Sequence, residues 1–547
     1  MAIQPSTLPM PTTTYQEAHR PQLSYSPARN WMNDPNGLVY HDGEYHLFYQ
    51  YNPNGDKWGD MSWGHAVSAD LVHWSELPVA LQVEKDAEGA ITQSFFSGSA
   101  VVDSANTSGL GLPGRAAMIA IYTSVYPGAM TLANGRRVRE GQQSQSLAYS
   151  RDRGRSWTQY AGNPVLELPP AAYLDEYREF RDPKVFWYAP EEKWVMVVAL
   201  AQQHKALLYA SKDLLQWEFM SEFGPVSAVG GVWECPDLFE LPVDGDPANS
   251  KWVMVINLNP GGPAGGSGAQ YFIGRFDGHS FQLDPAAPPS VACSGAPVVI
   301  TARPDDDVHW LDYGPDFYAA VSWNGAPGSK RVVIGWMSNW LYAGQVPTAP
   351  WRSAQSVARE LTLRCIDGQV RLVQQPVEGF DQLRRELLLA VEGQPVVTGV
   401  TALAPARSRA GPAEIEVLLD PGTALRAGLQ VHTGQNGDRT VIGYDRQLGQ
   451  VYVDRSNSGN ASFSPVFAAR HAAPVALRDG AIRLRILVDT ASVTVFAGAS
   501  EAVLTSLVFP GVGSDGMALF AEGGQATLRQ LKVWALASIF PQPGDCI

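Results

Sequence analysis

One phrase recurs along this chain and restricts its fold more than any other feature. Ser68-Ala69-Asp70-Leu71-Val72-His73-Trp74 returns loosely as Ser150-Arg151-Asp152-Arg153-Gly154-Arg155-Ser156-Trp157, and again as Ser211-Lys212-Asp213-Leu214-Leu215-Gln216-Trp217. The closing tryptophans stand 83 and then 60 residues apart. Each copy follows a short apolar run, as a turn leading into an outer strand would. A repeat of this length holds about four strands, which fits a propeller blade and exceeds a solenoid coil. Gly274-Arg275-Phe276-Asp277-Gly278-His279-Ser280-Phe281 is a degenerate fourth copy. Phe317-Tyr318-Ala319-Ala320-Val321 and Val332-Val333-Ile334-Gly335-Trp336 supply strands for a fifth blade.

The texture changes after about Asp367. Runs such as Ala413–Leu419, Ala481–Asp489 and Ser492–Phe496 alternate apolar and polar residues between turn residues, as strands with one wet face do. The expected architecture is therefore all-β: a five-bladed propeller over residues 21–366, a linker over 367–390 and a β-sandwich over 391–547. Phe380–Leu387 reads as a short helix within the linker, and residues 1–20 as a polar, Pro/Thr-rich extension. A chain of 547 residues is long enough for two such cores.

The net charge of −14 argues against nucleic acid and anionic membrane as partners and suits neutral ligands. No apolar run approaches the ~20 residues of a membrane helix. The amino terminus lacks the basic start and apolar centre of a secretory signal, so a cytoplasmic protein, or a secreted one whose leader has been removed, is expected. The four cysteines (Cys235, Cys293, Cys365 and Cys546) show no paired spacing, which makes zinc ligation and a disulfide framework poor readings.

Three acidic motifs carry the chemistry. Trp31-Met32-Asn33-Asp34-Pro35-Asn36-Gly37 reads as a rigid polar turn that aims Asp34 and opens a hairpin continuing through Tyr45–Gln50. Glu179-Phe180-Arg181-Asp182-Pro183-Lys184 sets a cation beside Asp182, which should keep that acid ionised. Trp233-Glu234-Cys235-Pro236-Asp237 places Glu234 in apolar company, which should suit it to donate a proton, with Cys235 packed behind it as a small apolar group. A lone aspartate before a hairpin is ordinarily a turn former; three acids, 148 and then 52 residues apart, can meet on the axis of a propeller. One acid kept charged and another kept protonated is what glycoside cleavage requires.

In this order and spacing the three motifs resemble glycoside hydrolase family 32, the β-fructosidases that include invertases, exo-inulinases, levanases and related fructosyltransferases. Phe96-Ser97-Gly98-Ser99-Ala100, Trp58-Gly59-Asp60-Met61-Ser62-Trp63-Gly64-His65, Asp312-Tyr313-Gly314, Gly335-Trp336-Met337 and Pro350-Trp351-Arg352-Ser353 extend the likeness from about Arg20 to the carboxyl end. The resemblance implies a five-bladed propeller with an appended sandwich, and a retaining hydrolase that releases terminal β-D-fructofuranosyl units from sucrose, levan or inulin without a cofactor or metal. It implies Asp34 as nucleophile, Glu234 as acid/base and Asp182, oriented by Arg181, as transition-state stabiliser. Asn33, Gln50, Trp58, Phe96, Ser97 and Trp336 would line the fructose subsite, and Asp312 would lie nearer the leaving group. Fructosyl transfer with the same residues, and a non-catalytic fructan-binding propeller, are the alternatives. Many relatives carry Asn at Asp60, which leaves leaving-group preference open.

Other motifs are better read as structure. Gly109-Leu110-Gly111-Leu112-Pro113-Gly114 matches GxGxxG but precedes a strand rather than a helix, so it is no dinucleotide loop. Asp305-Asp306-Asp307 is a solvated loop more readily than a calcium site, and His65 and His73 fit no metal-ligand spacing. Asn106-Thr107-Ser108 and Asn460-Ala461-Ser462 accept glycans only in a secreting, glycosylating host.

Overall fold

A computed structural model describes residues 13–284, 308–403 and 411–540. Four mainly antiparallel sheets form the five propeller blades, the fourth and fifth blades being joined in one eight-stranded sheet. Their innermost strands are Asn30–His41, Ile91–Asp103, Phe180–Tyr188, Val232–Val243 and Tyr318–Ser322, and these neighbour one another in cyclic order around the axis. Trp351–Arg352, entering from the fifth blade, pairs in parallel with Asn30 and Trp31 of the first and closes the ring. Asn324 reinforces the closure, donating from Nδ2 to Ala100 O at 2.8 Å and Val185 O at 2.9 Å.

The blades stack face to face, so their middle strands are apolar on both sides. Lys193–Leu200 of the third blade is buried throughout. Its Met196 and Val198 pack with Ile119 and Ile121 of the second blade, while Val195 and Val197 pack with Met254 and Ile256 of the fourth. The repeated Ser/Asp phrase forms the same turn in three blades, between the third strand and the outer one. The serine hydroxyl accepts the N–H of Leu71, Gly154 or Leu214, each at 2.8 Å. The aspartate Oδ1 accepts the N–H of Val72, Ser156 or Leu215 at 2.9 Å. The degenerate fourth copy keeps only the aspartate, with Asp277 Oδ1 accepting from His279 and Ser280. These local bonds satisfy backbone groups that a bare corner would leave unpaired.

The second domain is a sandwich of two six-stranded sheets. Leu487, Phe496 and Val503 of one sheet join the apolar core of the first and fifth blades. Two buried ion pairs brace this junction. Arg359 meets Asp312 at 3.0 Å, and Arg455 of the sandwich meets Asp316 of the propeller at 2.7 Å. Gly314 lies so close to Thr505 that an added Cβ would sit 2.1 Å from its carbonyl oxygen.

Several expectations are corrected. The outer strand of the fifth blade, Gln369–Pro376, lies in the segment expected as a linker, and it pairs with Arg359–Ile366 along its length. The helical part of that segment is a 3-10 turn, Glu378–Leu383, and residue 384 already opens a sandwich strand. The expected extension is anchored at its end: Arg20 is fully buried against the Trp351 ring and donates to Pro27 O at 2.8 Å. Cys365 is disulfide-bonded, which cysteine spacing does not reveal. Cys293, Cys546 and Asp305–Asp307 fall outside the described residues. Among the described residues no helix is long and apolar enough to cross a membrane, and no group of three or more His, Cys, Asp or Glu could hold a metal ion.

Candidate active site

Each of the five inner strands breaks register near its start, and the first and fourth break it again further along. The first shifts fall between Met32 and Pro35, Phe96 and Gly98, Arg181 and Lys184, Glu234 and Asp237, and Tyr318 and Val321. A bulge leaves a residue outside the ladder and re-aims side chains. Here the five bulges present Asp34, Ser97, Asp182, Glu234 and Tyr318 toward one end of the axis. Pro183 and Pro236 sit inside two of these bulges, where no ladder N–H is demanded of them, and Pro35 ends a third, opposite Tyr49. Asp182 (φ 67°), Cys235 (φ 42°) and Ala319 (φ 52°) hold the left-handed backbone that the kinks need. The run around Asp34 is therefore not the polar turn expected from Pro35-Asn36-Gly37. It is a twice-bulged inner strand, and the hairpin turns at Asp42-Gly43, within the His41–Glu44 turn that the sequence predicts.

Asp34 Oδ1 accepts from Asn33 Nδ2 at 2.9 Å, and its Oδ2 accepts from Ser97 Oγ at 2.7 Å and from the Cys235 thiol at 3.6 Å. Asn33 is held in turn by Trp31 Nε1 on its side-chain oxygen and by Gln355 Nε2 on its carbonyl. Gln50 donates to Phe95 O, and the Asn36 amide bridges Gln50 to Ser97 when its oxygen faces Gln50. Asp182 Oδ2 accepts the Cys235 N–H at 3.0 Å and has the Cys235 sulfur at 3.7 Å. Thr123 Oγ1 accepts the Asp182 N–H. Arg181 spans the set, bonding Glu234 Oε1 at 3.2 Å and Glu179 at 2.6 Å, with Asp182 at 3.9 Å. Tyr318 closes it from the fifth blade by donating its hydroxyl to Glu234 Oε2.

Electrostatics overturns two expectations. Burial pushes the Asp182 carboxyl up to about 7, outweighing the lowering by Arg181, with the charges of Glu234 and Asp34 acting in the same direction as burial. The neighbouring arginine does not settle the protonation of Asp182, because desolvation is larger. Asp34 is raised as well, first by burial and then by Glu234. Glu234 does not lie in apolar company: Arg181 and Tyr318 each hold one of its oxygens. Cys235 links Asp34 to Asp182 rather than merely filling space, and burial pushes its thiol well up, so it stays protonated and donates.

Asn33, Gln50, Ser97, Arg181 and Trp336 are buried around the acids, as expected of a sugar pocket. Trp336 Nε1 is buried with no hydrogen-bond partner among the described residues, and the ring packs within 6.5 Å of the Tyr318 ring. Trp58, half exposed, stands edge-on to Phe96 at 6.0 Å and forms rim. Asp60 ties that rim loop down by accepting from Asn54 and Lys85. Asp312 is not part of the pocket. Its oxygens accept from Gly314 N, Thr505 N and Thr505 Oγ1, and Arg359 pairs with it, all in the junction with the sandwich. Tyr318 and Cys235 are site residues that motif reading missed. The signal for Tyr318 was its place near the head of the fifth inner strand, where the other blades carry their polar groups.

The chain was compared with known proteins. It matches the model "Glycosyl hydrolases family 32 N-terminal domain" over residues 25–376 and "Glycosyl hydrolases family 32 C terminal" over residues 386–535. It is 45% identical over 536 residues to a levanase of Bacillus subtilis, covering 96% of this chain and 72% of that protein. It is 43% identical to an extracellular exo-inulinase of Aspergillus awamori, covering 96% of each. The crystal structure of exo-inulinase from Aspergillus awamori superposes with a TM-score of 0.90, covering 96% of this chain and all of that one at 41% identity. A beta-fructofuranosidase from Schwanniomyces occidentalis, complexed with fructosyl-erythritol, superposes with a TM-score of 0.78 at 29% identity, covering 97% and 100%. With both domains matched along nearly its whole length, this chain belongs to glycosyl hydrolase family 32 and is a glycosidase.

Proposed function

We propose that the protein is an exo-acting β-fructosidase that removes terminal β-D-fructofuranosyl units from sucrose and from fructans such as levan and inulin, with retention. The observation that carries this reading is the convergence of one polar group from each of five inner strands on a single pocket, with three acids against one arginine. Carboxyl groups gathered around the anomeric carbon in a partly desolvated pocket can stabilise the positive charge that develops there.

Asp34 attacks the anomeric carbon; Ser97, Asn33 and Cys235 hold its carboxylate for that role. Glu234 gives its proton to the departing oxygen, and the bond to a fructosyl ester on Asp34 forms as the glycosidic bond breaks. Glu234 then takes a proton from water, and the hydroxide so formed releases fructose and restores Asp34. Arg181 and Tyr318 keep Glu234 aimed through both steps. Asp182 accepts from fructose hydroxyls and offsets oxocarbenium charge, and the Trp336 indole N–H meets a further hydroxyl. The names of the relatives (levanase, exo-inulinase and beta-fructofuranosidase) support the substrate class.

The test is to incubate the purified protein separately with sucrose, levan and inulin while following fructose, glucose and oligomers. Equal release of fructose and glucose from sucrose, with fructose also freed from a polymer, is the expected result. Glucose running ahead of fructose, with new oligosaccharides, would replace hydrolysis by fructosyl transfer. No turnover of any substrate would overturn both.

A further inference from the structure

Two charged side chains that take no part in the reaction above lie buried just past the bulges that carry the acids. Lys184 and Asp237 are 3% and 1% exposed, and Lys184 Nζ stands 3.2 Å from Asp237 Oδ2. Lys184 is the first residue of the third inner strand to regain its ladder after the Asp182 bulge, and Asp237 is the first of the fourth after Glu234. On the fifth inner strand the ladder resumes at Val321, after Tyr318, and Ser322 comes next. Ser322 joins the pair: its N–H and its hydroxyl each donate to Asp237 Oδ2 at 2.7 Å, and its carbonyl accepts from Lys184 Nζ. One buried polar layer therefore links three strands at the point where each leaves its bulge.

Asn257 adds a clamp on two of the bulges. It stands opposite Glu234 on the neighbouring strand. Its Nδ2 donates to Cys235 O at 2.9 Å and Ala320 O at 3.3 Å, while its Oδ1 accepts the Ala320 N–H at 2.9 Å. Cys235 and Ala320 both lie inside bulges, outside the strand ladder.

Stability alone is a weak reason for such a layer. A buried ion pair is often no better than apolar residues of similar volume, because desolvation offsets its attraction. Apolar contacts are non-directional and let neighbouring strands slide by a fraction of a residue. Hydrogen bonds between fixed donors and acceptors do not. Only two, three and four residues separate Lys184, Asp237 and Ser322 from Asp182, Glu234 and Tyr318, so a slip in the layer reaches the pocket.

We propose that Lys184 and Asp237 are positioning residues, which fix Glu234 against Asp182 and Tyr318 by tying the three strands together through Ser322. The proposal rests on the roles given to those pocket groups above. A misplacement of about 1 Å at reacting groups costs ~10²-fold in rate.

The decisive variant is the double Lys184→Met/Asp237→Asn, because either single change strands a buried charge and the double strands none. Melting temperature, kcat and KM on sucrose are measured for it, for Ser322→Ala and for the native enzyme. The double variant should melt close to the native enzyme yet lose ~10- to 100-fold in kcat, with KM changed less than ~threefold. Ser322→Ala, which deletes one hydroxyl and strands no charge, should fold and lose ~fivefold in kcat. It decides the matter if the double variant does not fold. A native kcat in either folded variant would overturn the proposal. So would a raised KM with kcat intact, which marks a binding role, or a loss of kcat no larger than the loss of folded protein, which marks a structural one. Absence of turnover by the native enzyme would strike the activity reading instead, before any variant is compared.

Discussion

Breaking the Arg455–Asp316 pair tests whether the sandwich is a structural brace for the propeller. Both side chains are essentially inaccessible, at 1% and 0%. Arg455 also donates to Phe467 O at 2.7 Å, Leu507 O at 3.3 Å and the Tyr342 hydroxyl, and it lies over the Phe467 ring. Asp316 accepts from Tyr342 at 2.6 Å and Leu507 N at 2.8 Å. Removing one charge strands the other without water, a loss of ~3–5 kcal/mol for a buried pair. Asp316→Asn leaves Arg455 uncompensated, and Arg455→Met leaves Asp316 so. The double variant strands neither, and its loss should fall well below the sum, with a coupling of ~2 kcal/mol or more. Guanidinium chloride unfolding, followed by tryptophan fluorescence and by residual activity, measures all four proteins. Single variants within ~1 kcal/mol of the native protein, or an additive double, would refute the reasoning.

Tyr318→Phe removes one donor from Glu234 and should lower kcat by ~10- to 100-fold, as expected for a hydrogen bond to a charged group; a loss under twofold would sink the assignment. Glu234→Gln should cost ~10²–10⁴ in kcat on levan, while Asp312→Asn should reduce stability and leave the KM for sucrose unchanged. Asp182, with its folded value near 7 against 3.8 for the free group, takes up protons on folding, so its ionisation costs stability above pH 7 and nothing below about pH 4. Asp182→Asn should therefore melt higher than the native enzyme at pH 8 by a margin that shrinks by pH 5, and a lower melting point at pH 8 would contradict this. Buried His46, lowered from 6.5 to about 4 by desolvation, stays neutral when folded. Its contribution, ~3 kcal/mol, is intact above pH 6.5 and is lost as pH falls toward 4. His46→Gln should flatten that part of the stability–pH curve.

The blade count was legible because the Ser/Asp turns are local: hydroxyl, carboxylate and the N–H groups they accept lie within five residues. The three acids were legible for a similar reason, each marked by a proline in or at the end of a bulge. What escaped was set by distance. The neighbours of Asp182 in sequence point to ionisation, but burial by three other blades decides otherwise. Asp312 sits in a family-like motif, yet its oxygens are satisfied by Thr505, 193 residues away. Tyr318 has no motif of its own and is identified only by its register in the ring. The strand Gln369–Pro376 belongs to the fifth blade through its pairing with Arg359–Ile366, and no local pattern names that partner.

The distribution of the pocket over five strands bears on how the enzyme is made. Asp34 comes from the first blade and Tyr318 from the last, so no fragment that has folded its early blades holds a working set of groups. Joining the ends of so long a chain segment is a slow, entropically expensive step. Activity should therefore return after most strand structure during refolding, which makes catalysis a sensitive clock for the final closure of the ring.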